Sequence, residues 1–301
     1  MKSRTVGFIG LGNMGGRMSR CIVRAGGSVL GYDVNREVIG EAGATAAGSI
    51  GEVTDATDTV LLSLPDSRVV EAVVLGADGI VAHVKAGQIV VDLSTSAPES
   101  TRMIHAQLAE RGAHYLDAGI SGGAAAADAG TLTLMVGGDE QALERVRPVL
   151  DSFTANLYHV GGPGAGHTTK LLNNFLNAVS LAATAEVMVA GKKAGLDLGV
   201  LLEVLNKSSG VNFATLNRFP KIIIGDYLKG GLTNTLMMKD VVLYTELASH
   251  LGIASLNSAG PLASFGLARA LGYADQISNT VVDAIGDVSG GVRLYEGKDK
   301  S

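Results

Sequence analysis

The stretch that decides the fold is Thr5-Val6-Gly7-Phe8-Ile9-Gly10-Leu11-Gly12-Asn13-Met14-Gly15. It predicts a short buried strand, a glycine-rich turn and a helix that begins at about Met14. Gly10, Gly12 and Gly15 fit the G-x-G-x-x-G pattern of dinucleotide-binding turns, in which the glycines allow the tight turn, the approach of a pyrophosphate and close helix packing. The N–H groups and the dipole at the start of the helix would then hold the phosphate charge.

The pattern alone is a weak signal, because the chain has 41 glycines, but its surroundings strengthen it. The helical stretch ends at Ala25-Gly26-Gly27, and a second strand, Ser28 to Tyr32, ends at Asp33. Asp33 follows the first glycine at about the separation expected for the carboxylate that binds the adenine ribose. Asp33 favours NAD, whereas nearby Arg36 keeps NADP open. The alternative is an ordinary βαβ unit without a cofactor.

The composition bounds the class of protein. At 301 residues with 47% hydrophobic residues, the chain is long enough for two domains or one large one. Its net charge of −5 and the lack of a basic run argue against a nucleic-acid partner. Cys21 is the only cysteine, which excludes an internal disulfide.

Two segments of the sequence predict a cytoplasmic protein. The N-terminal Met1-Lys2-Ser3-Arg4 is followed by too short an apolar stretch for a signal peptide. The apolar region from Ala178 to Ala190 is interrupted by Glu186 and is too short for a bilayer span. We therefore expect no membrane partner.

The first half of the chain alternates strand and helix patterns. Five further apolar runs are predicted as strands: Thr59–Leu64, Gln88–Asp92, His114–Asp117, Thr133–Val136 and Leu157–Val160. Because helix-length segments separate most of them, the pattern predicts an α/β Rossmann-like domain with a doubly wound parallel sheet.

The pattern changes after Gly164. Residues 165–194 lack a convincing strand and predict one long helix. Further helices are predicted over Leu196–Leu205, Leu236–Leu251 and Pro261–Leu271. The sequence thus predicts an NAD-binding Rossmann-like domain over 1–163, an interdomain helix over 164–194 and an all-α C-terminal domain over 195–301.

Candidate binding residues follow the predicted strands, because ligands of open α/β sheets bind beyond the carboxyl ends of the strands. The segments are Leu64-Pro65, the turn that contains Thr95, and Ser121-Gly122-Gly123. The last offers a hydroxyl and backbone N–H groups that could receive a carboxylate or an oxyanion. A plain glycine turn is the alternative.

Lys170 is the catalytic candidate, near the start of the long helix. Asn174 follows four residues on, on the same side of the helix. Hydride transfer from an alcohol needs an acceptor for its proton, and a lysine can serve. The alternatives are a solvated surface lysine and competition from His167. The histidines show no metal-ligand spacing, and no nucleophile elbow or Walker-type motif is present.

With these residues in view, the chain resembles the β-hydroxyacid dehydrogenase family, which includes 3-hydroxyisobutyrate dehydrogenase and tartronate semialdehyde reductase. The resemblance covers nearly the whole chain. It is carried by four ordered segments that match the family's cofactor, substrate, catalytic and C-terminal motifs: Gly7–Gly15, Asp117–Gly138, Gly164–Asn174 and Met237–Asp240.

The resemblance implies roles for individual residues. Lys170 is the general acid/base, and Asn174 holds the lysine and the substrate. The implied substrate-binding residues are Ser121, Gly122, Gly123 and Thr95. The implied cofactor-binding residues are Gly10, Leu11, Gly12, Asn13, Met14, Gly15, Asp33, Leu64, Pro65, Thr95 and Lys239, with Asp240 behind Lys239.

The resemblance also implies a function. It is that of an NAD(P)-dependent oxidoreductase that interconverts a 3-hydroxy acid and its semialdehyde or keto acid, in a homodimer or homotetramer. The alternatives are a tartronate semialdehyde reductase, a relative with a larger or non-carboxylate substrate, an imine reductase, and a non-catalytic dinucleotide-binding module. The chain departs from the family pattern at Gly119, Ala125 and Leu232, where proline, glycine and an aromatic residue are usual.

Overall fold

The computed structural model describes residues 5–228 and 231–295. The segment 1–4, on which the expectation of no signal peptide rests, lies outside the described residues. The chain divides into two compact units between Lys170 and Leu171, inside the long helix. The predicted scheme of 1–163, 164–194 and 195–301 describes functional parts and stays a prediction.

The first unit is built on one eight-stranded sheet. Its strands are β1 (Thr5–Ile9), β2 (Ser28–Tyr32), β3 (Thr45–Ala46), β4 (Thr59–Leu62), β5 (Ile89–Asp92), β6 (His114–Ser121), β7 (Leu132–Gly137) and β8 (Thr154–Gly161). The strand order is β3-β2-β1-β4-β5-β6-β7-β8, and only the β6–β7 pair is antiparallel. The order reverses direction at β1 and β4, which places a crevice for ligands at their carboxyl ends. The predicted doubly wound α/β fold is confirmed.

Helices cover both faces of this sheet. They are α1 (Gly15–Arg24), α2 (Glu37–Glu41), α3 (Ile50–Ala56), α4 (Ser67–Leu75), α5 (Ile80–His83), α6 (Pro98–Ala109), α7 (Gly123–Ala129) and α8 (Glu140–Leu150). Successive strand residues alternate between the two faces, so Phe8 packs in one buried cluster and Ile9 in another. Burial on both faces explains why the strands read as continuous apolar runs.

Two strand boundaries differ from the sequence prediction. The chain leaves the sheet after Leu62, so Ser63 and Leu64 belong to the following loop. Strand β6 continues to Ser121 because its last residues pair with β7, with Ser121 opposite Thr133. The two-residue β3 is too short to leave a periodic signal.

The second unit contains helices only, apart from one isolated bridge, within the described residues. Its helices are α9 (Ala165–Lys193, which begins in the first unit), α10 (Leu198–Asn206), α11 (Phe213–Asn217), α12 (Phe219–Ile222), α13 (Asn234–His250), α14 (Ala259–Ala268) and α15 (Val281–Val288). Short turns of 3₁₀ helix (Leu256–Ser258 and Ser278–Thr280) and of π helix (Arg269–Tyr273) join them. Met188, Met237, Phe219 and Phe265 lie in its core.

The long helix was predicted to within one residue, whereas α11, α12 and α15 were missed. These three helices span 5, 4 and 8 residues, which is too short for a convincing helical period. No helix among the described residues combines the length and apolarity needed to cross a bilayer.

Candidate active site

The glycine turn has the geometry that the fingerprint requires. Gly10 has φ +87°, and a Cβ there would collide with the Ser63 carbonyl oxygen. A Cβ on Gly15 would collide with the Gly10 carbonyl oxygen, so this glycine lets α1 pack against the turn. Gly12 has no atom within 4 Å of its missing Cβ. The turn is therefore tight on the protein side and open at the glycine that a pyrophosphate would approach.

Asp33 is bonded to this turn. Its Oδ2 accepts the backbone N–H of Leu11 at 2.7 Å, and its Oδ1 accepts the N–H of Asn35 at 2.8 Å. The carboxylate at the end of β2 is thus fixed beside the glycine turn. This is the place from which an acidic residue reaches the ribose hydroxyls of a dinucleotide.

Arg36, the residue that keeps NADP open, is engaged elsewhere. Its Nη1 donates to the Ala47 carbonyl at 2.7 Å and its Nη2 to the Gly48 carbonyl at 3.0 Å. The guanidinium also lies 5.5 Å from the centre of the Tyr32 ring. These contacts hold the cation against the β3 loop, so binding a 2′-phosphate would require it to move.

The loops after β4 and β5 are joined to each other. The Leu64 N–H donates to Ser94 Oγ at 2.9 Å, and the Ser94 N–H donates to Asp92 Oδ1 at 2.9 Å. The predicted cofactor residues Leu64 and Thr95 therefore follow neighbouring strand ends in a hydrogen-bonded pair of loops.

A buried polar network lies behind these loops. The Tyr115 hydroxyl donates to Asp92 Oδ2 at 2.8 Å, and burial together with that carboxylate raises the pKa of Tyr115 well above its usual value. His167 Nδ1 lies 2.7 Å from Thr101 Oγ1, and its Nε2 lies 3.8 Å from Asp92 Oδ2. The His167 ring is fully buried, with no exposed surface.

Asp117 holds the start of α9. Its Oδ1 accepts the Gly164 N–H at 2.9 Å and its Oδ2 accepts the His167 N–H at 2.8 Å. These N–H groups belong to the first turn of the helix and have no partner within it, so a carboxylate is well placed to cap them. Lys170, one turn further, is half-buried.

The second unit brings other predicted residues together. Asn174 Nδ2 donates to Asp240 Oδ2 at 2.5 Å, and Lys239 Nζ lies 3.3 Å from Asp240 Oδ1. Asn174 and Asp240 are both almost fully buried. The catalytic and C-terminal motifs of the sequence thus meet between α9 and α13 of this unit.

Ser121-Gly122-Gly123 joins β6 to α7. Gly122 and Gly123 have φ of +127° and +72°, values that strain any residue with a side chain. A Cβ on Gly123 would meet no atom within 4 Å, so the start of α7 is open there. The turn therefore requires its glycines for conformation and leaves room for a ligand.

A cluster between α1 and α7 was not anticipated. The Asp128 carboxylate forms ion pairs with Arg17 and, at 3.2 Å, with Arg20. The backbone carbonyl of Asp128 accepts a hydrogen bond from Arg24 Nη2 at 2.5 Å. The spacing of the three arginines along one side of α1 was the available signal, but the sequence does not show that α7 lies opposite.

The three departures from the family pattern have different surroundings. A Cβ on Gly119 would lie 2.5 Å from Lys170 Cβ, whereas Ala125 is exposed on α7. Leu232 packs against the core of the second unit. Across residues 5–228 and 231–295, no group of three or more His, Cys, Asp or Glu side chains could hold a metal ion.

Comparison with known proteins places this geometry in a family. Residues 5–161 match the model of the NAD-binding domain of 6-phosphogluconate dehydrogenase, and residues 164–284 match the model of the NAD-binding region of NADP-dependent 3-hydroxyisobutyrate dehydrogenase. The NAD-dependent L-serine dehydrogenase of Pseudomonas aeruginosa is 39% identical, with 91% of this chain and 95% of that protein covered. The 3-hydroxyisobutyrate dehydrogenase of the same organism is 37% identical, with 98% and 99% covered.

The chain belongs to the β-hydroxyacid dehydrogenase family. A solved structure, the 3-hydroxyisobutyrate dehydrogenase of Mycobacterium tuberculosis with L-serine, superposes with a TM-score of 0.85 at 30% identity and covers 94% of this chain and 99% of that one. The chain is accordingly an NAD(P)-dependent oxidoreductase that acts on the CH–OH group of a hydroxy acid. The alternative of a non-catalytic nucleotide-binding module is therefore wrong.

Membership of the β-hydroxyacid dehydrogenase family agrees with the fit of the first unit to a dinucleotide. The open Gly12, the tight turn at Gly10 and the fixed carboxylate of Asp33 provide space for a pyrophosphate and an acceptor for a ribose. The roles of the individual site residues remain predictions.

Proposed function

We propose that this chain is a 3-hydroxyisobutyrate dehydrogenase-like enzyme that interconverts a 3-hydroxy acid and its semialdehyde or keto acid, with Lys170 as general acid/base. The observation that carries the proposal is the packing of Lys170, on helix α9, against strand β6. Its Cβ lies directly over Gly119, two residues before Ser121, so the two are separated by ~7 Å of strand. The stem of the proposed proton carrier therefore packs on the same strand that leads into the proposed carboxylate-binding turn.

The proposed chemistry divides between cofactor and protein. The nicotinamide, when bound, supplies the hydride acceptor in oxidation and the hydride donor in reduction. Lys170 in its neutral form takes the hydroxyl proton during oxidation, and as an ammonium group it returns a proton to the carbonyl oxygen during reduction. Ser121, Gly122 and Gly123 hold the carboxylate, and Thr95 and Asn174 orient the substrate.

We assign the cofactor contacts to one group of residues: Gly10, Leu11, Gly12, Asn13, Met14, Gly15, Asp33, Leu64, Pro65, Thr95 and Lys239. A preference for NAD over NADP is supported by Asp33, whose negative charge would repel a 2′-phosphate. The engagement of Arg36 with two backbone carbonyls supports the same preference, because this cation is held away from a compensating contact.

The substrate class rests on what the relatives' names share. L-serine and 3-hydroxyisobutyrate both carry a carboxylate and a hydroxyl on the third carbon, which supports a short 3-hydroxy acid for this chain. A tartronate semialdehyde reductase remains the alternative, as does a relative with a larger or non-carboxylate substrate. Ala125, which is small and exposed on α7, would leave room for a larger one.

The assembly and its parts are further proposals. We propose a cytoplasmic homodimer or homotetramer, with 1–163 as the NAD-binding domain, 164–194 as the interdomain helix and 195–301 as the interface-forming domain. Exposed apolar side chains on α9 and α10 support an oligomer: Leu172, Leu176, Val187, Val200 and Val204. Light scattering after size exclusion would give the number of subunits, and a monomer would contradict this part.

The decisive experiment is Lys170→Ala, assayed by NADH absorbance against a panel of 3-hydroxyisobutyrate, L-serine, 3-hydroxypropionate and glycerate. We expect kcat to fall by ~10²–10⁴-fold, the usual contribution of a general acid/base, while NADH affinity stays within about twofold. Lys221→Ala, an exposed lysine on α12, is the matched control and should behave like the unmodified protein. Near-full turnover by Lys170→Ala would refute the assigned role.

A further inference from the structure

One face of β6 carries three residues with distinct tasks. Side chains alternate along a strand, so Asp117, Gly119 and Ser121 lie on the same face. Asp117 accepts two N–H groups from the first turn of α9, and Ser121 begins the proposed carboxylate-binding turn. Gly119 lies between them, beneath Lys170.

Gly119 is needed for space and not for conformation. Its φ is not in the left-handed region. A Cβ at this position would lie 2.5 Å from Lys170 Cβ, 3.2 Å from Lys170 Cγ and 3.1 Å from the Gly166 carbonyl oxygen. Because Lys170 Cβ is attached to the helix backbone, rotation of the lysine side chain cannot relieve the clash. At the spacing found in this chain, a side chain at 119 would therefore require α9 to move away from β6.

Neighbouring glycines restrict the same helix from below. A Cβ on Gly166 would collide with the Asp117 carbonyl oxygen and would lie 2.5 Å from the Met135 carbonyl oxygen. A Cβ on Gly137 would lie 2.6 Å from Asp117 Oδ1 and 2.7 Å from Gly166 N. The backbone of α9 thus lies directly on β6 and β7, and Asp117 is fully buried in this contact.

We propose that Asp117 and Gly119 are positioning residues for Lys170. Asp117 fixes the first turn of α9 along the strand, and Gly119 fixes how closely the stem of Lys170 approaches β6. Together they set the position of the amine relative to Ser121, two residues along the strand from Gly119. The inference rests on the proposed role of Lys170. Its physical basis is that displacement of a reacting group by about 1 Å costs ~10²-fold in rate.

The test uses Gly119→Ala, with Gly162→Ala as the matched control. Gly162 lies near the start of α9, and a Cβ there meets no atom within 4 Å. We expect Gly119→Ala to lower kcat by ~10–100-fold and to shift the pH dependence of kcat, because the amine moves. Its NADH dissociation constant should stay within about twofold, and Gly162→Ala should behave like the unmodified protein.

Asp117→Asn provides a second, independent variant. The amide keeps the size of the carboxylate but replaces one acceptor by an NH₂ group that faces a backbone N–H. We expect kcat to fall at least ~10-fold with the same shift in pH dependence. A merely structural role would lower the melting temperature and leave the pH dependence unchanged.

Measuring Lys170→Ala in parallel separates the two proposals. If Lys170→Ala retains full turnover, the proposed function fails. If Lys170→Ala is inactive while Gly119→Ala and Asp117→Asn keep the kcat and pH dependence of the unmodified protein, the proposed function stands and the positioning inference fails. Loss of folding in both positioning variants would also overturn the inference, because β6 would then hold the fold and not specifically the lysine.

Discussion

The cofactor preference can be tested at Asp33, where the structure separates two effects of one carboxylate. Its Oδ2 accepts the Leu11 N–H at 2.7 Å and so holds the glycine turn. Its charge would also repel the 2′-phosphate of NADP. Asp33→Asn keeps an oxygen that can accept the Leu11 bond but removes the charge, whereas Asp33→Ala removes both.

The charge of Asp33 affects the preference between cofactors, whereas its bond to the Leu11 N–H affects stability. Two unit charges about 5 Å apart interact by ~3 kcal/mol at an effective dielectric constant of ~20, and solvent screening at this partly exposed site reduces that to ~1.5–3 kcal/mol. This corresponds to a ~10–100-fold change in preference between NAD and NADP. Leu11 is almost fully buried, so an unpaired N–H there would cost ~1–3 kcal/mol of stability.

The assay is kcat/KM for NAD and for NADP at saturating hydroxy acid, together with the free energy of unfolding from urea titration. For Asp33→Asn we expect the NAD/NADP ratio to fall ~10–100-fold with near-normal stability. For Asp33→Ala we expect a similar change in ratio, weaker use of both cofactors and the loss of stability. An unchanged ratio in Asp33→Asn would show that the carboxylate does not face the 2′ position. Equal stability of the two variants would refute the role of the Leu11 bond.

Three further predictions concern other polar contacts. Asp128→Ala should lower the free energy of unfolding by ~1 kcal/mol, because Arg17 and Arg20 of α1 lose a partly exposed partner; it should also raise the KM for the hydroxy acid by loosening α7, and unchanged urea titration and KM would contradict both. Asn174→Ala removes the 2.5 Å bond to the buried Asp240 carboxylate and should cost ~1–3 kcal/mol in the same titration as well as lowering kcat. Burial raises the pKa of Asp283, although the Tyr227 hydroxyl, which donates to both of its oxygens, partly opposes this. A raised folded-state pKa means that stability is full below the unfolded-state value and falls as pH rises through the folded-state value. Tyr227→Phe should therefore cost ~1 kcal/mol at pH 8, where the carboxylate is ionised, and less at pH 4; an equal loss at both pH values would show that the bond does not depend on ionised Asp283.

Much of the fold could be predicted from local signals. The strand, turn and helix at Thr5–Arg24 follow from an apolar run, three spaced glycines and a helical period. The long helix α9 follows from the lack of proline and strand patterns over 30 residues of sequence. Short elements such as β3 and α12 could not be predicted, because two to four residues carry no measurable period.

The candidate site could likewise be predicted only in part. Lys170, Ser121 and Asp33 could be chosen from motifs and spacing, and the β-hydroxyacid dehydrogenase family could be named from them. The antiparallel pairing of β7 with β6 could not, because a strand's direction in a sheet depends on how the chain returns. Nor could the sequence predict that His167 is fully buried between Thr101 and Asp92, because those contacts join distant parts of the chain.

The sequence by itself thus determined the fold class, the family and the residue types available for chemistry, because these depend on local geometry and on ordered motifs. Only the tertiary structure decided which of those residues are fixed in place and which contacts with other parts of the chain fix them. Asp117 caps the first turn of α9 through Gly164, which lies 47 positions later in the sequence. Gly119 makes room for Lys170 at a similar separation. Such contacts join distant parts of the chain, and their strength comes from burial and close packing that neither spacing nor composition records.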